Sequence, residues 1–288
     1  MTRIHAQSWQ VAHGRTLELG ARASIMAIIN VTPDSFSDGG RYVDVEAAVD
    51  HALQCLSEGA DIIDIGGEST RPGAVEVSPS EEQGRVLPVI EALRAQTDAL
   101  ISIDTYHAET ARLAISAGAH IINDVFGLQR DPDIASLAAT AGAGVCIMHT
   151  GRGRTKLADV INDQDAFLGK SLEIADAAGV GREHIVLDPG FGFAKEHTEN
   201  LELMDRLHEL HRFGLPLLVG TSRKRFIGAA TQQEAADRDV GTAASSAILR
   251  LKGAAIFRVH NVAINRDALA VADAILATRR STAGEGAL

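Results

Sequence analysis

The stretch LISIDTYHAETARLAISAGAHIIN, residues 100–123, contains one complete repeat of the fold. Its two short apolar runs, Leu100–Asp104 and His120–Asn123, are continuously hydrophobic, which is typical of strands buried on both faces. The segment between them is amphipathic, and Gly118 follows it where helices commonly end in a left-handed residue. The stretch therefore predicts a strand, a helix and a second, parallel strand.

The same unit recurs along most of the chain. Apolar runs predict eight strands: Ile25–Asn30, Asp61–Ile65, Leu100–Asp104, His120–Asn123, Gly144–Met148, Ile185–Asp188, Leu215–Gly220 and Ala255–Val259. Eight strand–helix units favour an α/β fold, a single (β/α)8 TIM barrel, although an open doubly wound sheet fits the same count. We expect residues 1–23 to form a short N-terminal β-hairpin cap, residues 24–280 the barrel, and residues 281–288 a flexible tail.

The composition limits the possible partners. Of 288 residues, 45% are hydrophobic, 23% are charged and 4% are aromatic, with a formal net charge of −11. These values exclude intrinsic disorder and make nucleic acid or a membrane surface an unsuitable partner. Cys55 and Cys146 lie among apolar residues, which indicates buried thiols in a reducing, cytoplasmic compartment. An anionic substrate would require positive charge to be concentrated locally.

Polar or ionisable side chains follow all eight predicted strands. Asp104-Thr105, Asn123-Asp124 and Asp188-Pro189-Gly190 are three examples. Taken singly, Asp104 or Asp188 could serve only as a helix N-cap. In a closed barrel, however, the carboxyl ends of the strands meet at one mouth, where such proteins have their active sites. Eight polar strand ends therefore predict a binding site.

This mouth combines two kinds of group. The cations come from Arg71, Lys224, Arg258 and His260. Together with Asn30, Thr70 and the helix start after Ser222, they suit a phosphate or diphosphate with a divalent ion. Acceptors for a flat, donor-rich heterocycle come from Asp104, Asn123 and Asp188.

Seven motifs connect the chain to a known family. They read NVTPDSFSDGG at 30–40, DIGGESTRPG at 64–73, SIDT at 102–105, IND at 122–124, DPGFG at 188–192, SRK at 222–224 and RVH at 258–260. The two long strings are highly specific, and the short ones occur in the right order. Over residues 24–275 the chain thus resembles the pterin-binding family, and within it the dihydropteroate synthases.

The resemblance implies an activity and a set of roles. The reaction would join 6-hydroxymethyl-7,8-dihydropterin diphosphate to 4-aminobenzoate and release diphosphate. Asn30 would hold Mg²⁺, and the phosphate oxygens would be bound by Thr70, Arg258 and His260. The pterin would be held by Asp104, Asn123, Asp188 and Lys224. The remaining substrate contacts would be Phe36, Arg71, Pro72, Phe193, Ser222 and Val259.

The catalytic contributions would come from Asp104, Lys224, Arg258 and His260, and loops 30–40 and 66–75 would close over the site. A homodimer is the assembly that the resemblance implies. Two segments depart from the family pattern: the family commonly has a methionine and a glycine–proline stretch at Thr150–Thr155, and an aspartate at Asn261.

Two other functions remain as alternatives. One is a non-catalytic paralogue that binds pterin without forming a product. The other is a pterin-dependent methyltransferase, whose chemistry does not require the STRPG loop or a diphosphate clamp. The chain contains the complete set that a non-catalytic paralogue would more often have lost, which favours the synthase: Asn30, Asp104, Asp188, Lys224, Arg258 and His260.

Overall fold

The computed structural model describes residues 7–32, 41–69 and 76–285. A two-stranded antiparallel hairpin, β1 (Gln7–Val11) and β2 (Arg15–Leu19), comes first. Eight parallel strands then form one sheet: β3 (Ser24–Asn30), β4 (Ile62–Gly66), β5 (Leu100–Asp104), β6 (Ile121–Asp124), β7 (Gly144–Met148), β8 (Ile185–Asp188), β9 (Leu218–Val219) and β10 (Ile256–Val259).

The strand order is β8-β7-β6-β5-β4-β3-β10-β9, and its two ends meet. Leu187 forms a parallel bridge with Leu217, and its N–H donates to the carbonyl of Pro216 at 3.0 Å. This closure excludes the open sheet and confirms the predicted barrel with an N-terminal hairpin.

Helices follow the strands on the outside of the barrel. They are α1 (Arg41–Glu58), α2 (Pro79–Arg94), α3 (Ala108–Ser116), α4 (Asp133–Ala141), α5 (Val160–Ala177), α6 (His197–Arg206), α7 (Arg225–Thr231), α8 (Asp239–Leu251) and α9 (Val262–Glu285). Short 3-10 helices lie at Arg182–His184, Leu207–Phe213 and Ala235–Asp237. Helix α9 continues to Glu285, within the segment 281–288 that we predict as a tail. In the described part of the chain, no helix combines the length and the apolar character needed to cross a membrane.

Alternation along the strands divides the barrel interior into layers. The lowest inward-facing layer is apolar and takes one residue from each strand: Met26, Ile62, Leu100, Ile121, Cys146, Val186, Leu218 and Ile256. Since side chains alternate with a period of two, the next inward position lies one layer closer to the mouth. On β4, β6, β8 and β10 that position is occupied by Asp64, Asn123, Asp188 and Arg258. The polar site thus lies directly on an apolar floor.

The hairpin closes the opposite end of the barrel. Trp9, Val11 and Leu19 pack with the lowest apolar layer. The Trp9 indole N–H donates to the carbonyl of His184 at 2.8 Å, and the N–H of Ala12 donates to the carbonyl of His120 at 3.1 Å. The cap is therefore fixed both by apolar burial and by hydrogen bonds to the strand starts.

Candidate active site

An arginine between two carboxylates forms the centre of the mouth. The Arg258 Nε donates to Asp64 Oδ2 and its Nη2 donates to Asp104 Oδ2, both at 2.6 Å. Asp64 is fully buried, and its Oδ2 also accepts a hydrogen bond from Asn123 Nδ2 at 3.2 Å. Nη1 is the guanidinium nitrogen that neither carboxylate engages.

The charges in this group shift one another's protonation equilibria. Burial raises the pKa of Asp104 to about 7, with Arg258 opposing the shift and Asp64 adding to it. Burial lowers the pKa of Arg258, but the carboxylates of Asp64 and Asp104 outweigh it and raise the pKa overall. Arg258 therefore stays charged, while Asp104 can take up a proton near neutral pH.

Asp188 and Lys224 form a second pair at the mouth. Asp188 is buried at the end of β8, and its Oδ1 accepts a hydrogen bond from the N–H of Gly190 at 2.7 Å. Burial raises the pKa of Asp188, and Lys224 opposes this. Burial also lowers the pKa of Lys224 to about 8, and Asp188 opposes that shift. Lys224 Nζ donates to the carbonyl of Phe191, which anchors it beside the turn after β8.

The predicted phosphate and aminobenzoate contacts lie next to each other. The Ser222 hydroxyl is 2.8 Å from His260 Nδ1 and accepts a hydrogen bond from the His260 N–H at 3.1 Å. Beside them, Arg223 donates through Nε and Nη2 to the two carboxylate oxygens of Asp239, at 2.7 and 2.9 Å. Asn261 Nδ2 donates to Asp239 Oδ2 at 3.0 Å. The unusual asparagine thus supplies a hydrogen-bond donor that an aspartate would lack.

Aromatic and apolar side chains line the rim. Phe193, Tyr106, Val125, Phe126 and Met148 form one small cluster. Cations approach the Phe193 ring from two elements: the Arg152 Cζ lies 4.6 Å, and the Lys224 Nζ 4.7 Å, from its centroid. Arg152 belongs to the unusual segment after β7, so this segment does reach the predicted site.

The structure assembles most of the residues predicted to form the site. It brings together Asp104, Asn123, Asp188, Lys224, Arg258, His260, Ser222 and Phe193 at the carboxyl ends of the strands. Asn30 ends β3 at the same mouth. Val259 is different: it alternates away from the interior and is buried in the core shared with the helices, so its side chain faces away from the mouth. Phe36, Thr70, Arg71 and Pro72 lie outside the described residues.

Asp64 is the main residue that sequence reasoning missed. In the sequence Asp64 stands out only as the start of the DIGG motif, yet it occupies the inward layer next to Asn123 and Arg258. A signal was available, because an aspartate two positions after the inward Ile62 in an apolar run must face the barrel interior.

Comparison with known proteins agrees with this geometry. The sequence model described as pterin binding enzyme matches residues 26–260. A dihydropteroate synthase from Clostridium beijerinckii is 44% identical over 263 residues, covering 91% of this chain and 97% of that protein. The chain belongs to the dihydropteroate synthase family.

Solved structures of this family superpose closely on the barrel. A Clostridium difficile dihydropteroate synthase, determined in the presence of pteroic acid, has 46% identity and a TM-score of 0.87, covering 89% of this chain and 98% of that one. The Xanthomonas albilineans dihydropteroate synthase with 4-aminobenzoic acid has 43% identity and a TM-score of 0.88, covering 93% and 98%. This dihydropteroate synthase family member therefore has the family's whole barrel.

Proposed function

We propose that this protein catalyses the dihydropteroate synthase reaction, which condenses 6-hydroxymethyl-7,8-dihydropterin diphosphate with 4-aminobenzoate to give 7,8-dihydropteroate and diphosphate. The observation that carries the proposal is the adjacency of two groups at one mouth. Acceptors for a heterocycle, the buried Asn123 and Asp188 and the partly buried Asp104, lie beside the cations Lys224 and Arg258. One solved relative was determined in the presence of pteroic acid and another with 4-aminobenzoic acid, which supports the same pairing of substrates.

The inner part of the site suits the pterin. A carboxylate can accept two parallel N–H bonds from a guanidine-like ring edge, and buried Asp188 is placed to do so. Asn123 offers an amide that can both donate and accept. Met148 and Phe193 supply the apolar surfaces that a flat ring requires. The pterin would lie over the second inward layer, with its reactive methylene carbon towards the outer mouth.

The outer part suits the leaving diphosphate. As the carbon–oxygen bond breaks, its electron pair leaves with the diphosphate, and positive side chains stabilise the growing negative charge. His260 is placed for this task at the end of β10, and Arg258 Nη1 is the nitrogen that remains for an oxygen of the substrate. Ionised Asp104 and Asp188 would stabilise the positive charge left on the pterin methylene group.

Asn30 fits a role at a metal ion. Its side chain lies at the mouth, and within residues 7–32, 41–69 and 76–285 its amide has no hydrogen-bond partner. Magnesium in enzymes is commonly held by one or two protein oxygens together with substrate phosphates and water. An amide oxygen from Asn30 matches that requirement, and bound Mg²⁺ would supply Lewis-acid neutralisation of the diphosphate.

The amine attack needs little further help from the protein. The aryl amine is neutral at pH 7, so its lone pair can form the carbon–nitrogen bond directly, after which the amine gives up one proton. A strong general base is unnecessary. Ser222 and the start of α7 lie where the carboxylate of 4-aminobenzoate would be bound.

A product assay tests the proposal. The purified chain is incubated with both substrates, with and without Mg²⁺, and pteroate and diphosphate are measured. We expect both products in equal amounts, with formation dependent on the metal. Binding of pterin without any product would instead support the non-catalytic paralogue. Product formation that survives both Lys224→Ala and Arg258→Ala would contradict the site.

We also propose that the chain forms a homodimer through α8 and α9. These helices pack together and expose Val240 (72%), Ile248 (45%), Val271 (63%) and Ile275 (39%). Large apolar side chains with this exposure are typical of an interface. Sedimentation of wild-type protein and of Val271→Asp tests this, and a wild-type monomer at micromolar concentration would contradict it. A cytoplasmic location stays a prediction.

A further inference from the structure

We propose that Lys195 is a positioning residue for the reaction, because its ammonium group links the buried His149–Asp163–Arg154 chain to the turn that presents Asp188 and Phe193. The proposal rests on the proposed function for its kinetic consequences. The hydrogen bonds of Lys195, on which the proposal depends, are present in the protein whether or not it catalyses this reaction.

The turn after β8 is held by donors from several other elements. The carbonyl of Asp188 accepts from the His149 N–H at 2.8 Å, and the carbonyl of Pro189 from Gln164 Nε2 at 2.9 Å. The carbonyl of Gly190 accepts from Lys195 Nζ at 2.8 Å, and that of Phe191 from Lys224. Each of these carbonyls therefore has its direction fixed by a specific partner.

The turn needs such anchoring because its backbone is unusual. Gly190 and Gly192 have φ of 65° and 81°, and Ala194, a residue with a side chain, has φ of 52°. A left-handed alanine costs about 1 kcal/mol or more unless its surroundings hold it in place. Lys195 is the residue directly after Ala194, and it is only 9% exposed.

The hydrogen bonds of Lys195 have a fixed direction. A charged ammonium group can only donate, so His149 Nδ1, at 2.8 Å, must be the acceptor. The proton of neutral His149 is then on Nε2, which donates to Asp163 Oδ2 at 3.0 Å; Arg154 Nη2 lies 2.9 Å from the same nitrogen and donates to the Asp163 carboxylate instead. Arg154 donates to both oxygens of Asp163, at 2.8 and 2.6 Å. This series of hydrogen bonds thus connects the unusual segment after β7 with the carbonyl of Gly190.

The charges around Lys195 are mixed. Burial lowers its pKa to about 7; the carboxylates of Asp188 and Asp163 oppose this, and Lys224 and Lys156 add to it. His149 contacts it directly, Arg154 lies against the far side of His149, and Glu199, paired with Lys156, is a further charged neighbour. The ammonium charge is therefore present below about pH 7 and declines above it, which weakens the fixed donation to His149.

Lys195→Met removes the donor while keeping the length of the side chain. We expect the KM for the pterin diphosphate to rise about tenfold, with a smaller change in kcat, because the turn would present Asp188 less often. We also expect faster amide hydrogen exchange in peptide 186–196 of the ligand-free protein. Lys156→Met is the matched control, since Lys156 is a neighbouring lysine that pairs with Glu199 and donates to none of the turn's carbonyls.

A pH series separates positioning from a merely structural role. The ratio of wild-type to Lys195→Met kcat/KM should be largest near pH 6 and fall several-fold by pH 8.5, because only the wild type loses a charge at position 195, whereas Asp104 and Lys224 titrate in both proteins. A ratio constant with pH would overturn the proposal, as would unchanged amide exchange and unchanged pterin KM.

A second variant covers the case in which Lys195→Met does not fold. Asp163→Asn makes the same comparison from the other end of the hydrogen-bonded series, with a threefold rise in pterin KM expected. If the wild type forms no pteroate, the proposed function fails, while the exchange comparison still decides the role of Lys195.

Discussion

Replacing Asp64 by asparagine should move the acid limb of the pH profile to lower pH. Asp64 and Asp104 each contact a different nitrogen of the Arg258 guanidinium at 2.6 Å, so the two carboxylates repel each other across one cation. The negative charge of Asp64 is one reason why the pKa of Asp104 is raised to about 7, after burial. Removing that charge also leaves Asp104 as the only carboxylate hydrogen-bonded to Arg258 among the described residues. Both effects lower the pKa of Asp104.

The size of the shift follows from Coulomb's law. At an effective dielectric constant of about 20, two unit charges roughly 6 Å apart interact by about 3 kcal/mol. One pKa unit corresponds to about 1.4 kcal/mol, so the unscreened shift would be about two units. Because the guanidinium lies between the carboxylates and screens them, we expect a shift of about one unit. The weaker anchoring of Arg258 should also lower the plateau of kcat/KM up to about tenfold.

The assay is kcat/KM for the pterin diphosphate from pH 5 to pH 9. The wild-type value should fall below about pH 7, since Asp104 must be ionised to stabilise the cationic methylene group. In Asp64→Asn the fall should begin about one pH unit lower. Asp61→Asn, which removes a carboxylate from the ion pair with Arg22 at the far end of the barrel, is the matched control. An acid limb that stays in place, or that moves to higher pH, would refute the reasoning.

Three further perturbations test other parts of the structure. Asn261→Asp places a carboxylate against Asp239, and we expect a several-fold rise in the KM for 4-aminobenzoate together with about 1 kcal/mol of lost stability. Glu82→Gln should stabilise the fold by about 1 kcal/mol at pH 8, because both Glu82 carboxylate oxygens are buried without a hydrogen-bond partner among the described residues. Burial raises the pKa of Glu82, so this gain should appear above the unfolded value of about 4.3 and vanish in acid. Gly190→Ala should cost several kcal/mol and abolish turnover, since the new methyl carbon would lie 1.9 Å from the carbonyl oxygen of His149.

Each of these changes has its own control. The double variant Asn261→Asp with Asp239→Asn should recover most of the aminobenzoate affinity, and a failure to recover any would argue against direct repulsion. Chemical denaturation of Glu82→Gln at pH 4 and pH 8 measures its pH dependence, and equal differences at both values would contradict the assignment. Gly179→Ala, with φ of 83° and no atom within 4 Å of the added carbon, isolates backbone strain from the clash. Equal losses in the two glycine variants would rule out the steric explanation.

The fold was predictable because its signal repeats. Each parallel strand needs a helix to return the chain, so eight short apolar runs with amphipathic segments between them constrain the topology strongly. Strand ends were less certain. The run Leu215–Gly220 predicts six residues, but only Leu218–Val219 form the strand. Pro216 has no N–H to contribute to a ladder, which limits the strand at its start.

The site could be predicted where the position of a residue directly after a strand decides its location. Polar residues after strands converge on the mouth whatever the details of packing, so Asp104, Asn123 and Asp188 could be found from position alone. Side-chain direction is harder to predict, because it depends on the register inside the barrel. In β10, for example, the side chain of Val259 faces the helices, whereas that of the adjacent Arg258 faces the barrel interior.

Long-range polar contacts could not be predicted from the chain. His149 and Lys195 are 46 residues apart, and Arg223 and Asp239 are 16 apart, so nothing local indicates that they meet. From the sequence alone, His149 after β7 fits a structural role as well as a functional one. Its hydrogen bonds depend on how β7 and β8 lie side by side, which is a property of the assembled barrel.

The hairpin at the base of the barrel has a kinetic consequence. With Trp9, Val11 and Leu19 packed beneath the lowest apolar layer, the inner end of the site is closed, and in the described part of the chain Asp64 and Arg258 face the mouth. A molecule bound at depth must arrive before one bound above it and cannot depart until the upper position is vacated. Isotopic exchange of the inner protons should therefore stop once both positions are filled.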